Sequence, residues 1–201
     1  LLNGSPKSKR CTYTALKIIE NELINEGIEV KFYEVGNKPV IGCTGCTACR
    51  KLGKCVHDDL VNEVSKEIES ADGFIVGSPV HYAAASGAAT SFLDRLFYST
   101  DKNQLRHKFG ASIVSCRRGG ASATFDQLNK YFTINEMPIV SSVYWNQIHG
   151  NTPEEIVQDL EGVRTMKVLA RNMAYLIKCK EAAKNVPLPK LVPVERTNFI
   201  R

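Results

Sequence analysis

Short apolar runs alternate with longer amphipathic segments along this chain, and that order leaves few folds open. Phe74-Ile75-Val76-Gly77-Ser78 and Gly110-Ala111-Ser112-Ile113-Val114-Ser115-Cys116 are apolar runs of the kind buried in a parallel sheet. Leu1-Leu2 ends an earlier run, and Glu29 to Val35 alternates polar and apolar residues as a strand does. A fifth strand is expected at Ile139-Val140-Ser141-Ser142-Val143-Tyr144. Between them lie helical patterns. Ala15, Leu16, Ile18, Ile19, Leu23 and Ile24 are near helical spacing and end at Gly27. Leu60, Val61, Val64 and Ile68 follow Asp58 or Asp59 as N-cap. Further helices are expected over Gly87 to Tyr98 and Ala121 to Phe132, and one from Thr152-Pro153-Glu154-Glu155 reaching Cys179. Strand–helix–strand order implies an α/β fold, a doubly wound parallel sheet with helices on both faces.

Ligands of such folds sit beyond the carboxyl ends of the strands. The loops expected there are Gly4 to Thr12, Pro79 to Tyr82, Arg117 to Gly120 and the cysteine-rich stretch after the second strand. The first opens a helix and carries Ser5, Ser8 and Thr12 with Lys7, Lys9 and Arg10. Free N–H groups, hydroxyls and cations together suit an anion. The G-x4-G-K-[ST] and G-x-G-x-x-G patterns are both absent, and Lys17 stands where a C-x5-R phosphatase loop from Cys11 needs Arg. A monophosphate held by hydroxyls and backbone remains, as flavin mononucleotide is held in flavodoxin-like folds. The alternative is an ordinary polar loop with solvated charges.

Gly42 to Cys55 packs Cys43, Cys46, Cys49 and Cys55 into the spacing C-x2-C-x2-C-x5-C. Thiolates so spaced converge on one metal or cluster, and three short spacings in series suit an iron–sulfur site better than one zinc. Zinc, a thiol redox switch and unligated cysteines stay open. His57 is expected on the surface before the helix cap. Cys11, Cys116 and Cys179 stand apart and read as buried apolar thiols. Trp145 and Tyr144 suit a flavin shield or the core; His107 and His149 carry no signal.

The chain has 201 residues, 43% hydrophobic and 23% charged, which suits one folded domain and argues against disorder. The formal net charge of +5 is weak support for nucleic acid, so no nucleic-acid partner is expected. No apolar run approaches the ~18–20 residues of a membrane span, so no membrane partner is expected. The chain starts without Met inside an apparent strand, and a few residues are expected upstream. The seven cysteines do not form the pattern of a small secreted disulfide framework, so a cytoplasmic location is expected.

Several of these motifs coincide in one family. Gly4-Ser5-Pro6-Lys7 with Thr12 resembles the phosphate loop of the NAD(P)H-dependent FMN reductase family. Gly77-Ser78-Pro79-Val80-His81-Tyr82 resembles its flavin-ring loop, and Arg117-Arg118-Gly119-Gly120 its later glycine loop. The cysteine spacing is similar to that of the iron–sulfur flavoproteins, a branch of the same superfamily. The resemblance covers about residues 1–180 and implies a flavodoxin-like, five-stranded sheet of order 2-1-3-4-5. Residues 1–180 are then an FMN-binding domain with a cysteine insertion at 42–58, followed by an extended tail, 181–201, rich in proline.

The resemblance further implies that Ser5, Lys7, Ser8 and Thr12 bind the FMN phosphate. Pro79, Val80, His81 and Tyr82 would line the isoalloxazine, and Ser115, Arg117, Gly119 and Gly120 would close its other side. Cys43, Cys46, Cys49 and Cys55 would ligate a [4Fe–4S] cluster. Cys11 departs from the Asn often found there, and His81 from a common Tyr. The implied activity moves electrons between NAD(P)H or ferredoxin and a small acceptor through FMN, in a homodimer or homotetramer. A non-enzymatic redox or metal sensor that binds FMN is the alternative class.

Overall fold

The computed structural model describes residues 1–193, 195 and 197. The elements run β1 (Leu2–Asn3), α1 (Cys11–Asn25), β2 (Tyr33–Glu34), α2 (Cys49–Leu52), α3 (Leu60–Ser70), β3 (Gly73–His81), β4 (Ala84–Ala85), α4 (Gly87–Ser99), α5 (Lys102–Leu105), β5 (Phe109–Cys116), α6 (Ala121–Thr133), β6 (Gln147–His149), α7 (Pro153–Ile156) and α8 (Leu160–Ala182). The sheet order is β2-β1-β3-β5-β6, with all four neighbouring pairs parallel. The short β4 pairs antiparallel with β3, off that path. With β4 set aside, this is the expected 2-1-3-4-5 order of a flavodoxin-like fold.

Two apolar layers sandwich the sheet. On one face, Leu16, Ile19 and Leu23 of α1 pack with Met166, Leu169 and Met173 of α8 against Ile75 and Ile113. On the other, Val61 and Val64 of α3, Phe92 and Leu96 of α4, and Leu128 and Phe132 of α6 pack against Phe74, Val76 and Val114. Residues 74–76 of β3 alternate between these faces, and burying each such side chain contributes roughly 1.5–3 kcal/mol. This two-sided burial is why the strand runs read as continuously apolar.

The structure corrects three expectations. The fifth strand is not Ile139–Tyr144. Ile139 makes only an isolated bridge to Gly110, and the edge strand is β6. From that bridge to the Val114–Gln147 pair, β5 advances four residues while the edge chain advances eight. Side-chain hydrogen bonds hold the surplus off the ladder. Asn172 Nδ2 donates to Ser141 O, Ser142 Oγ donates to Thr165 O, and the buried Asn146 Nδ2 donates to Ser112 O.

The helix expected from Thr152 to Cys179 is two helices. Thr152 caps the single turn of α7, accepting from Glu155 N–H. Asp159 then caps α8, accepting from Gly162 N–H through Oδ1 (2.9 Å) and from His149 N–H through Oδ2 (2.7 Å). A side chain that must reach both β6 and the start of α8 cannot sit inside one straight helix.

Residues 79–81 belong to β3 rather than to a loop. They form a hairpin with β4, turning on Tyr82 and Ala83, whose φ angles are 52° and 58°. The described part of the tail beyond α8 has no regular structure and is exposed, and its end, residues 194, 196 and 198–201, lies outside the described residues. Among the described residues no helix is long and apolar enough to cross a membrane.

Candidate functional site

Three of the expected loops meet at the carboxyl edge of β1, β3 and β5. Each is tied to another by buried contacts. Gly4 N–H donates to Gly77 O at 2.7 Å. A Cβ on Gly4 would lie 2.7 Å from Ala89 Cβ and 2.9 Å from that same carbonyl, so only glycine lets β1 pass so close to β3 and α4. Ser86, the N-cap of α4, donates from Oγ to Gly4 O (2.6 Å) and receives Ala89 N–H (3.1 Å). Its own N–H reaches the buried Ser78 Oγ (3.0 Å). The first loop is thereby fixed on β3 before any ligand arrives.

Within that loop the buried Asn3 accepts Ser5 N–H through Oδ1 (3.1 Å) and donates from Nδ2 to Glu34 (2.9 Å). Ser5 is buried, and its Oγ accepts Lys7 N–H. Lys7 and Ser8 are exposed, as are Lys9 and Arg10. Thr12 is buried in the first turn of α1, its Oγ1 2.8 Å from Ser115 Oγ at the end of β5.

The helix starts differ in a telling way. Asp59, Ser86 and Asp159 cap α3, α4 and α8 with side-chain oxygens. Neither α1 nor α6 has such a cap, and neither has an acidic residue in its first turn. These two helices open directly from the first and third loops. Their first-turn N–H groups carry the positive end of the helix dipole and are left for something other than a cap. Beside α1 stand Thr12, Ser8 and three cations, a donor set that fits a phosphate dianion.

The third loop folds back on the hairpin. Gly120, the residue before α6, has φ 91°, and a Cβ there would lie 2.8 Å from Ala83 Cα and 3.0 Å from Val80 Cγ1. Arg117 and Gly119 are exposed. Pro79 and Val80 are half-buried, His81 is exposed, and Tyr82 is 104% exposed. The turn needs positive φ at both central residues, which Asn and Gly usually supply. Tyr82 and Ala83 hold it under strain, and Gln127 Oε1 steadies it by accepting Ala85 N–H (2.8 Å).

The cysteine stretch is placed elsewhere, which corrects the expectation that it shares this edge. Cys43, Cys46, Cys49 and Cys55 line one small cavity with His57, Arg95, Tyr98 and Ser99. Arg95 to Ser99 is the C-terminal half of α4. Arg95 is nine residues past Ser86, ~13 Å along the helix at 1.5 Å per residue. All four thiols are free, Cys43 and Cys46 being exposed. Among the described residues no group of three His, Cys, Asp or Glu side chains is drawn tightly enough to hold a single metal ion. His57 is half-buried against the cavity rather than on the open surface.

Several residues that sequence reasoning passed over shape this second region. Asn62 on α3 grips the last cysteine from both sides, accepting Cys55 N–H (2.9 Å) and donating to Cys55 O (3.0 Å) and His57 O (3.1 Å). Arg95 is 1% exposed and pairs with Asp59 at 2.7 Å. Burial works against the Asp59 carboxylate, but hydrogen bonds from Arg95 and Val61 N–H outweigh it and hold its pKa below the ordinary value. The signal for Arg95 was a cation on the apolar face of α4, beside Phe92 and Leu96.

The solitary cysteines are less uniform than expected. Cys116 is buried, Cys11 is half-buried, and Cys179 is exposed. Burial pushes the Cys11 and Cys116 thiols up, so neither offers a ready thiolate beside the carboxyl edge. Tyr144 and Trp145 are about half exposed with ring centroids 5.0 Å apart, outside the core.

Several proteins similar to this chain are named as flavoproteins. At 30% identity over 184 residues, an iron–sulfur flavoprotein of Methanocaldococcus jannaschii aligns with 88% of this chain and 95% of its own length. One of Methanosarcina thermophila is 28% identical over 88% of this chain and 93% of its own. Among solved structures, RosB with a bound 8-demethyl-8-formylriboflavin-5'-phosphate intermediate superposes with a TM-score of 0.69 at 14% identity, covering 100% of this chain and 90% of that one. A flavodoxin from the domain Archaea gives 0.60 at 14% identity, covering 88% and 97%. The sequence profile of the NADPH-dependent FMN reductases matches residues 1–152, the part that carries all three edge loops and the cysteine stretch. With its uncapped helix starts facing one edge of a 2-1-3 parallel sheet, the chain belongs to the NADPH-dependent FMN reductase family.

Proposed function

We propose that the protein is an electron-transfer flavoenzyme that moves electrons between NAD(P)H or ferredoxin and a small acceptor, using FMN and a [4Fe–4S] cluster. The observation that carries the flavin half is the pair of uncapped helices, α1 and α6, at one edge of the sheet, where the Thr12–Ser115 contact ties α1 to the end of β5. Bound there, FMN would supply exchange between two-electron and one-electron chemistry, and a cluster would supply single-electron transfer.

The chain's own residues do the placing. Ser5, Ser8, Thr12 and the first N–H groups of α1 hold the phosphate, with Lys7 adding charge. Pro79, Val80, His81 and Tyr82 present the hairpin to the ring, and Ser115, Arg117, Gly119 and Gly120 bound it from β5. The exposed Tyr82 and His81 leave an open approach for a flat nicotinamide or acceptor.

For the second half, four cysteines around one cavity favour a cluster over a single zinc. Zinc at ~2.3 Å from each sulfur needs the thiolates drawn tightly together, whereas a cluster holds its cysteines around a larger body. The supporting observation is that all four free thiols line one cavity.

The test is an anaerobic visible spectrum with iron and acid-labile sulfide analysis. Flavin bands with about four irons per chain support the reading. Flavin without iron leaves an FMN reductase with spare thiols, and protein that neither carries nor rebinds flavin overturns the proposal. Cys46→Ala is expected to lose iron and keep FMN.

A further inference from the structure

Arg95 is the buried arginine of α4, and its hydrogen bonds go to the chain from Ile41 to Asp59, across the cysteine segment. Its Nε donates to Cys55 Sγ at 3.2 Å. Its Nη1 donates to Asp59 Oδ2 (2.7 Å) and Ile41 O (3.4 Å), and its Nη2 to Asp59 Oδ1 (2.9 Å) and His57 O (3.1 Å). One side chain thus joins the chain just before the first cysteine to the chain around the last.

Burying a guanidinium is expensive, and a well-packed apolar residue would often stabilise such a site as well or better. The fork of Arg95 does something an apolar residue cannot. Bidentate pairing with Asp59 fixes the plane of the guanidinium, and that plane aims Nε–H at Cys55 Sγ. Asp59 is itself anchored, because it caps α3 by accepting Val61 N–H at 3.1 Å. The sulfur is therefore addressed by a donor whose direction is set by two helices, α3 and α4.

We propose that Arg95 is the positioning residue of the cysteine site: it holds Cys55 in ligating position and makes the cluster easier to reduce. This rests on the cluster reading above. A hydrogen bond and a positive charge at a ligating sulfur stabilise the added electron, and hydrogen bonds to the sulfurs are among the factors that set cluster potentials. A residue that only packs would affect stability and leave the potential where it was.

The experiment compares wild type, Arg95→Gln, Arg95→Lys and Asp59→Asn after anaerobic reconstitution with ferrous iron and sulfide. FMN content checks that each has folded. Two quantities are read: the rate at which an iron chelator strips the cluster, and its one-electron midpoint potential by spectroelectrochemical titration. In Arg95→Gln, iron is expected to leave at least fivefold faster. The ratio of reduced to oxidised cluster at fixed potential is expected to fall about tenfold, a shift of ~59 mV to more negative values. Arg95→Lys, which keeps charge without the fork, is expected to fall between.

Wild-type potential and release rate in a flavin-replete Arg95→Gln overturn the proposal. If that variant does not fold, Asp59→Asn decides: its side chain is 43% exposed, and faster iron release supports the proposal while a wild-type rate overturns it. A wild type that takes up no iron and sulfide overturns the cluster reading itself, a different failure from a cluster indifferent to Arg95.

Discussion

Thr12 Oγ1 lies 2.8 Å from Ser115 Oγ, a buried contact across 103 positions of sequence. It joins the first turn of α1 to the last turn-out of β5 and so closes the carboxyl edge on both sides of β3. Replacing Thr12 with valine keeps the shape and removes the hydroxyl. A hydrogen bond to a charged group contributes about 1.5–3 kcal/mol, so Thr12→Val is expected to weaken FMN binding roughly tenfold or more. Flavin-fluorescence titration of the apo-protein reads this directly, and an unchanged dissociation constant would remove Thr12 from the phosphate site.

Gly4 allows a close approach of backbone at this edge. The Cβ of Gly4→Ala would press on Ala89 Cβ and Gly77 O, neither the end of a flexible side chain. Overpacking of this kind costs about 1–3 kcal/mol. For a chain of this size a loss of ~2 kcal/mol lowers the melting temperature by ~4–8 °C. Thermal unfolding of the apo-protein separates this from any effect on flavin; a melting point within a degree of wild type would mean the loop can shift freely.

Ala83 holds φ 58° in the hairpin turn, where glycine is at home. Left-handed backbone costs an alanine ~1 kcal/mol or more, so Ala83→Gly is expected to raise the melting temperature by ~2–4 °C. If the strained turn serves to present Tyr82, the same variant turns over more slowly while melting higher. Equal gains in both would show that the strain has no role.

The Tyr131 phenol is held protonated beyond its ordinary range, first by burial and then by its hydrogen bond to Asp94. In the unfolded chain it ionises near pH 10, as an ordinary tyrosine does. Between that value and the higher folded one, the native state binds more protons, so stability falls as pH rises. Stabilisation from this contact is complete below about pH 10 and is lost above it. Melting curves from pH 8 to 11 should show the gap between wild type and Tyr131→Phe constant below about pH 10 and narrowing above it. Parallel curves throughout would assign the alkaline loss to other groups.

Much of this could be read from residues alone, for physical reasons. The helices α1, α3, α4 and α6 bury one face each, so their apolar spacing is explicit, and Asp59 stands one position before α3 as its cap. β3 and β5 are covered on both sides and read as unbroken apolar runs. The misses are places where tertiary bonds override local pattern. Ile139-Val140 looks like the start of a strand, but Ser141 and Ser142 after it bond Asn172 and Thr165 of α8. Thr152-Pro153-Glu154 does start a helix, but Asp159 must reach β6 and ends it after one turn. The hairpin at Tyr82 was hidden because its turn lacks Asn and Gly. The cysteine stretch follows β2 in sequence but is drawn down α4 by Arg95 and Asn62, partners that spacing among cysteines does not reveal.

That displacement bears on how such a chain acquires its chemistry. Among the described residues, no pair of the sheet ladders involves the segment from 36 to 58; its anchors are side chains of α3 and α4 and the cap Asp59. The segment lies outside the sheet, with Val40 alone of its residues packed against the core cluster among the described residues. Whatever that strip of chain holds is therefore set by the two side chains that clasp it, Asn62 and Arg95, and not by the register of the sheet.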